Sequence, residues 1–466
     1  MSTPVTAVMV GAGERGTTAY GPYALNHPDE LRFIAVAEPN EARRERFASV
    51  HGIPPEAQVR SWDELLGRNQ MADAAIICTM DEMHADPAAA ALRAGYDVLL
   101  EKPMATTRAD CVRVVEAAER ADRLFQVCHV LRYTSFFSKL HEIVTSGRLG
   151  KIVAVEHREN VVYWHMAHSY VRGNWRRRDA SSPVILAKCS HDLDILTWNL
   201  GPCHRLSSFA APRTFRPDNA PAGAPARCTD GCPAAAECLW YAPRLYLDLI
   251  PLLHVARRSP ILWERIGASF SLRFPRLTRR LCQLAPPLDR ALDYHDWPIS
   301  VMSEDTTPAA RQRALEEGPY GRCVFHCDND VVDHQTVVME FESGATATLI
   351  LNGHSHEEAR TMRYDGTRAT LRGKFAYGLD DVIEISDHLT GAVERIRFGT
   401  GDAGVTGHGG GDEGLMRAFL RAVRGDAAAA VAPRQALESH LMAFAADEAR
   451  LEGRVVTLPP RRRFRR

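Results

Sequence analysis

The feature that most constrains this chain is a glycine-spaced hexad near its start, Gly11-Ala12-Gly13-Glu14-Arg15-Gly16. It follows the apolar run Val5–Val10 and opens a stretch with helical spacing. A G-x-G-x-x-G alone arises easily by chance, but between a strand and a helix each glycine has its own task. Gly11 permits the tight turn, Gly13 lets the backbone approach a pyrophosphate, and Gly16 lets helix and strand pack closely. The phosphates then meet free N–H groups at the helix N-terminus. Glu38 ends the second apolar run, Leu31–Glu38, about twenty residues after Gly16, where an acid can accept a ribose 2′-hydroxyl. An ordinary βα turn needs none of this. The order predicts a dinucleotide site at Gly11, Ala12, Gly13, Glu14, Arg15, Gly16 and Glu38. NAD is favoured over NADP, because the Glu38 carboxylate would repel a 2′-phosphate. Arg43 and Arg44 follow soon after and keep NADP open.

Further apolar runs, Ala74–Thr79, Tyr96–Glu101 and Phe125–Val130, alternate with helix-like stretches such as Asn40–His51 and Asp86–Gly95. That alternation predicts a parallel sheet covered on both faces, a Rossmann domain over residues 1–130. Beyond it the pattern changes to α+β. A helix is expected at Phe136–Ser146, a strand at Lys151–His157 and a helix at His191–Leu200. Strands follow at Gln335–Phe341, Ala345–Asn352 and Thr370–Gly373, with hairpin turns at Ser343-Gly344 and Asp365-Gly366 that imply antiparallel pairing. Helices near Glu413–Val423 and Pro433–Glu452 close a second domain, 131–466, and the basic tail Pro459–Arg466 reads as frayed.

Within that domain, residues from about 203 to 330 read as an insertion. It holds a Pro/Ala/Gly-rich linker, a cysteine cluster and the stretch Trp240–Asp296, rich in arginine. A solvated helix face accounts for those arginines more simply than a basic docking surface does. In CTDGCPAAAEC the thiols of Cys228, Cys232 and Cys238 lie close in sequence, and with Cys327 they make a candidate structural zinc set. Cys323 and His326 compete for the fourth place, and free cysteines packed as small hydrophobes account for the cluster equally well.

Composition sets the outer limits. The chain has 466 residues, enough for roughly three units of about 150, or two with a large insertion. With 57 basic and 58 acidic side chains the net charge is −1, which gives no general case for a nucleic-acid partner. The longest apolar candidate, Leu245–Ala256, is broken by Asp248, Pro251 and His254, so no membrane span is expected. The N-terminus lacks the basic region of a signal peptide. A cytoplasmic location is therefore expected, with the 11 cysteines reduced, metal-bound or reactive.

Two groups carry candidate chemistry. Glu101-Lys102-Pro103 ends the fourth run, on the sheet edge where open α/β folds bind ligands. There Lys102 can hold a substrate oxygen and stabilise a developing alkoxide, although a surface lysine before a turn would look the same. The second group is Lys188-Cys189-Ser190-His191-Asp192-Leu193-Asp194. A histidine at a helix start suits proton transfer, with Asp192 and Asp194 available to orient it. A satisfied core histidine beside an Asp192 helix cap fits the sequence as well.

Taken together, GAGERG, Glu38, Thr79 and His84 in TMDEMH, EKP at Glu101–Pro103, HVLRY at His129–Tyr133, GRLGKI at Gly147–Ile152, HDLD at His191–Asp194 and Ser439-His440 resemble the Gfo/Idh/MocA oxidoreductase family. Gly318–Gln335 and the cysteine cluster resemble a long-insert branch of it. The resemblance implies a nicotinamide cofactor, an open and mostly antiparallel second sheet that makes a homo-oligomer, and a small-molecule substrate of sugar, polyol or sugar-acid type. It implies Thr79, His84, Glu101 and Lys102 on the cofactor side, Lys102 as catalytic lysine and His191 as catalytic histidine. Many members carry an aspartate four residues before that histidine. Here the position is Ala187, and the adjacent Lys188 joins the catalytic candidates. Arg132, Arg172 and Arg176 would bind a substrate carboxylate if they face the cleft, and are structural if paired. The leading expectation is an NAD(P)-dependent dehydrogenase acting on CH–OH. The alternatives are an NAD-retaining glycosidase working by transient oxidation, and a non-catalytic NAD or sugar sensor. Retention of both Lys102 and His191 speaks against the sensor.

Overall fold

The computed structural model describes residues 3–284, 294–399, 408–426 and 429–459. Its first sheet is built from β1 (Val5–Val10), β2 (Leu31–Ala37), β3 (Gln58–Val59), β4 (Ala74–Ile77), β5 (Asp97–Leu100) and β6 (Phe125–Val127). The strands lie in the order β3-β2-β1-β4-β5-β6 and every pair is parallel. This is the doubly wound order of a dinucleotide fold. Strands covered on both faces need apolar side chains throughout, and β4, Ala-Ala-Ile-Ile, is buried at all four positions. The helix Glu41–His51 starts where the Asn40 side chain accepts from Arg43 N, and ends at Gly52 in the left-handed region.

The second sheet contains β7 (Ile152–Val162), β8 (Cys203–Ala211), β9 (His334–Phe341), β10 (Thr346–Ser355), β11 (Ala359–Gly366), β12 (Ala369–Phe375), β13 (Val382–Asp387), β14 (Val393–Arg397) and β15 (Val456–Thr457). The order is β14-β13-β12-β11-β7-β10-β9-β8-β15, antiparallel except where β10 runs beside β7. Alternate residues of β9 and β10 are buried, so one face of the sheet meets the core and the other is left more open. The helices Ser190–Leu200 and Pro433–Glu452 pack against each other and against this sheet.

Two expectations are corrected. Residues 203–211 are not insertion: they form β8, paired with β9 along its length, so the insertion begins after Ala211. The strand was missed because His204, Arg205, Ser207 and Ser208 interrupt its apolar residues and it abuts a Pro-rich linker. The second correction concerns the C-terminal helices. Leu415, Met416, Phe419, Leu420, Ala436 and Leu437 lie in the core of the first sheet, while Met442, Ala443 and Ala446 lie in the core of the second. The chain thus returns to finish the unit it began with. The insertion has its own small core, with Ala242, Tyr246, Ile299 and Leu315 packed on Val162 and Trp164. Among the described residues no helix is long and apolar enough to cross a membrane. The tail 460–466 lies outside the described residues.

Candidate active site

The glycine loop is shaped for a close ligand. Gly11 has φ +90°, and a Cβ there would meet the Cys78 carbonyl oxygen at 2.7 Å. A Cβ at Gly16 would meet the Gly11 oxygen at 2.5 Å, so this glycine lets the helix lie on the strand. At Gly13 a Cβ would meet no protein atom within 4 Å, so that side of the loop is open to an incoming group. The helix opens with a π-helical turn, Gly16–Tyr20, and continues as α-helix over Gly21–Asn26. Glu38 is buried beneath the loop, accepting from Ala12 N at 2.8 Å and Asn40 N at 3.0 Å. These residues fit a dinucleotide: a cradle without side chains, and a carboxylate held at the end of β2.

Arg15 and Glu101 pair with each other. Arg15 turns inward to Glu101 Oε1 at 2.6 Å and Asp412 Oδ1 at 2.5 Å, and Tyr20 also donates to Glu101 at 2.6 Å. Burial disfavours the guanidinium charge, but Asp412 and Glu101 outweigh it and hold the Arg15 pKa well above its ordinary value. His84 is buried, with its ring nitrogens on the carbonyl oxygens of Pro103 (2.6 Å) and Thr79 (3.0 Å). It therefore clips the loop after β4 to the loop after β5. Thr79 donates to the Met83 carbonyl at 3.1 Å.

Lys102 and His191 meet at the C-terminal edge of the first sheet. Lys102 Nζ donates to the Ala187 carbonyl at 2.9 Å, so the segment that lacks the acid still touches the lysine through its backbone. Burial lowers the Lys102 pKa, and Glu101 and Asp81 offset part of the effect. His191 is 4% exposed, and among the described residues neither ring nitrogen has a hydrogen-bond partner. Burial first, then the charge of Lys102 and the neighbouring His129 and His408, push its pKa well below the ordinary histidine value. The result is a neutral imidazole with free polar atoms, beside a lysine.

The aspartates flanking His191 do not orient it. Asp192 binds His157 Nε2 and Arg360 Nε, both at 2.8 Å. Asp194 takes Arg132 in a two-point pair at 2.5 and 2.6 Å. Lys188 is fixed by Glu358 at 2.6 Å and Glu159 at 3.2 Å. Burial opposes its charge, but the two carboxylates outweigh it and raise the Lys188 pKa well above normal, so it is a fixed cation and not a proton carrier. Of the three arginines expected to bind a carboxylate, Arg132 pairs with Asp194, Arg172 donates to the Arg322 and Trp240 carbonyls, and Arg176 pairs with Asp328. Several residues of this region had not been foreseen. His165 lies 3.1 Å from Glu358, and Trp175 Nε1 donates to Asp81 at 2.8 Å. Asp81 sits inside the TMDEMH motif, and Glu358 ends a polar run, His354–Glu358, between two apolar strands. Each was a readable signal.

The four thiols expected to hold zinc do not converge on one point as they stand. Among the described residues, no group of three or more His, Cys, Asp and Glu side chains stands arranged to hold a metal ion. Cys327 turns away to donate to the Cys323 carbonyl.

A parallel dinucleotide sheet with a lysine and a histidine at its edge, joined to an open mixed sheet, defines an oxidoreductase class of fold. Two family descriptions match: the oxidoreductase family NAD-binding Rossmann fold over residues 5–129, and the same family's C-terminal α/β domain over residues 141–232. Residues 5–129 and 141–232 thus match the two domains of the Gfo/Idh/MocA oxidoreductase family. It is 34% identical over 168 residues to inositol 2-dehydrogenase 2 of Saccharopolyspora erythraea, covering 36% of this chain and 46% of that protein. It is 31% identical over 169 residues to 1,5-anhydro-D-fructose reductase of Ensifer adhaerens, covering 36% and 48%. The matched chain thus spans less than half the length of these relatives. Levoglucosan dehydrogenase, solved with NADH and levoglucosan, shares the fold with a TM-score of 0.65 at 14% identity, over 98% of this chain and 100% of that one.

Proposed function

We propose that the protein is an NAD(P)-dependent oxidoreductase that moves a hydride between nicotinamide and a carbinol carbon of a sugar or polyol. The observation that carries this reading is His191: a buried imidazole whose two nitrogens have no hydrogen-bond partner among the described residues, set beside Lys102 at the cofactor edge of the sheet. When bound, the nicotinamide supplies a hydride acceptor or donor. Lys102 donates a hydrogen bond to the reacting oxygen and offsets its developing negative charge. His191 takes the hydroxyl proton in oxidation and returns it in reduction. The three arginines weighed for a substrate carboxylate are all committed elsewhere, which favours an uncharged substrate over a sugar acid. NAD is favoured because Glu38 stands at the ribose position and Glu304 engages Arg43 at 2.9 Å, occupying a cation that a 2′-phosphate would need.

Purified protein screened against sugars and polyols should release NADH stoichiometrically, read at 340 nm. Lys102→Ala and His191→Ala should each lower kcat by roughly 10² or more with NADH binding kept. Full activity in either variant removes that residue from the chemistry. Glycoside cleavage without NADH release would favour the transient-oxidation reading, and tighter binding of NADPH than NADH would overturn the Glu38 assignment.

A further inference from the structure

Away from the active site, the insertion gathers four thiols around one small cavity. Cys228, Cys232, Cys238 and Cys323 line a space of about 10 Å³, otherwise walled by groups such as Trp240 and Phe325. That volume is close to one water-sized sphere. Two distant segments build it. Residues 226–228 run antiparallel to 321–323, with Cys228 N on the Gly321 oxygen and Cys323 N on the Ala226 oxygen, both at 2.8 Å. A left-handed turn at Gly231, φ +75°, brings Cys232 round, and Arg244 clamps the carbonyls of Ala235, Ala236 and Cys238.

Three further observations point to an anionic occupant. Arg172 is 1% exposed, donates to the carbonyls of Trp240 and Arg322, and lies 3.7 Å from Cys228 Sγ. Arg227, also lining the cavity, donates to the carbonyls of Leu315 and Gly318. Among the described residues neither arginine has a carboxylate partner, and for the buried Arg172 a cation without a counter-charge is strongly disfavoured. The Trp240 Nε1 donor is buried without a hydrogen-bond partner, which a native interior rarely tolerates. All of these thiols are free, and as they stand they surround the cavity without converging on it.

We propose that Cys228, Cys232, Cys238 and Cys323 close on a single four-coordinate divalent metal of the zinc type, with Arg172 and Arg227 as its counter-charges. On binding, each sulfur releases its proton to solvent and gives a lone pair to the metal. Four thiolates on a divalent ion form a dianion, which two guanidinium groups neutralise. The size of the cavity suits one ion and is too small for a polynuclear cluster. The metal is structural. It ties the cysteine loop to the chain around Cys323 and, through Arg172, to the segment Met166–Arg172 that follows His165. Cys327, the ligand suggested by sequence, lies outside the cage.

Full-length protein produced in zinc-supplemented medium without a histidine tag should carry close to one zinc per chain by elemental analysis. Cys228→Ser and Cys323→Ser should each lose it, whereas Cys327→Ser should keep it, with NADH binding as the check of folding. Should the cysteine variants fail to fold, X-ray absorption at the zinc edge of the unaltered protein decides: four sulfur neighbours at about 2.3 Å are expected. Metal-free protein, fewer than four sulfurs on the zinc, or zinc lost from Cys327→Ser but retained in Cys323→Ser would each overturn the assignment.

Discussion

At the scale of single residues, Gly13 and Gly16 separate what a ligand requires from what the protein requires. Gly13→Ala adds a methyl group that touches no protein atom, so stability should stay within about 0.5 kcal/mol of the parent while NADH binding is lost. Gly16→Ala forces a methyl group onto the Gly11 carbonyl and should lower stability by about 1–3 kcal/mol as well. Urea unfolding beside a fluorescence titration with NADH distinguishes the two. The expected pH dependence follows from the pair proposed to react, Lys102 and His191. The pKa of His191 is lowered, so its neutral, proton-accepting form persists on acidification, and the acid limb of kcat/KM should fall well below the ordinary histidine value of 6.5. The pKa of Lys102 is lowered too, so its charge is lost as pH rises through a value below 10.5, and the alkaline limb should come earlier than for an exposed lysine. A profile centred on ordinary values would contradict both assignments. The glycines, Glu38, Lys102 and His191 were legible because each lies in a local motif that names its neighbour in space. Asp412 and Arg360 were not, because their partners lie more than a hundred residues away in sequence.

Among elements, the helix Ser190–Leu200 shows how the histidine proposed as catalytic is held without a hydrogen bond to its ring. Among the described residues the His191 ring makes no hydrogen bond, but its helix is anchored by Asp194 to Arg132 and by Asp192 to Arg360. Both pairs are nearly or wholly buried. Asp194→Ala would leave the Arg132 guanidinium buried and unpaired, which should cost about 3–5 kcal/mol of stability, measured as a lower urea midpoint at unchanged slope. A smaller loss would mean that His129, 3.1 Å from Asp194, is not part of a tight cluster. Elements with strong local periodicity were readable. Pro433–Glu452 is found with the bounds expected, and β1 likewise. The two-residue β3 and the edge strand β14 carry too few apolar residues to stand out, and they are strands only because a neighbour offers hydrogen bonds.

For the whole molecule, the outer face of the second sheet is where self-association is expected. Phe209 is 71% exposed and Val338 46%, on adjacent strands and on the same face. Large apolar groups exposed together commonly mark an interface. Light scattering should give a dimer or larger, and Phe209→Arg with Val338→Glu should reduce the mass to that of one chain. A parent protein that is already monomeric would rule this surface out. One further consequence belongs to synthesis. The core of the first sheet is completed by Leu415 to Leu437, residues that leave the ribosome roughly three hundred positions after β6. At roughly 5–20 residues per second, the nascent cofactor domain waits about 15–60 s with one flank of its core uncovered. During that interval the cell must shield an apolar surface that the finished protein never shows.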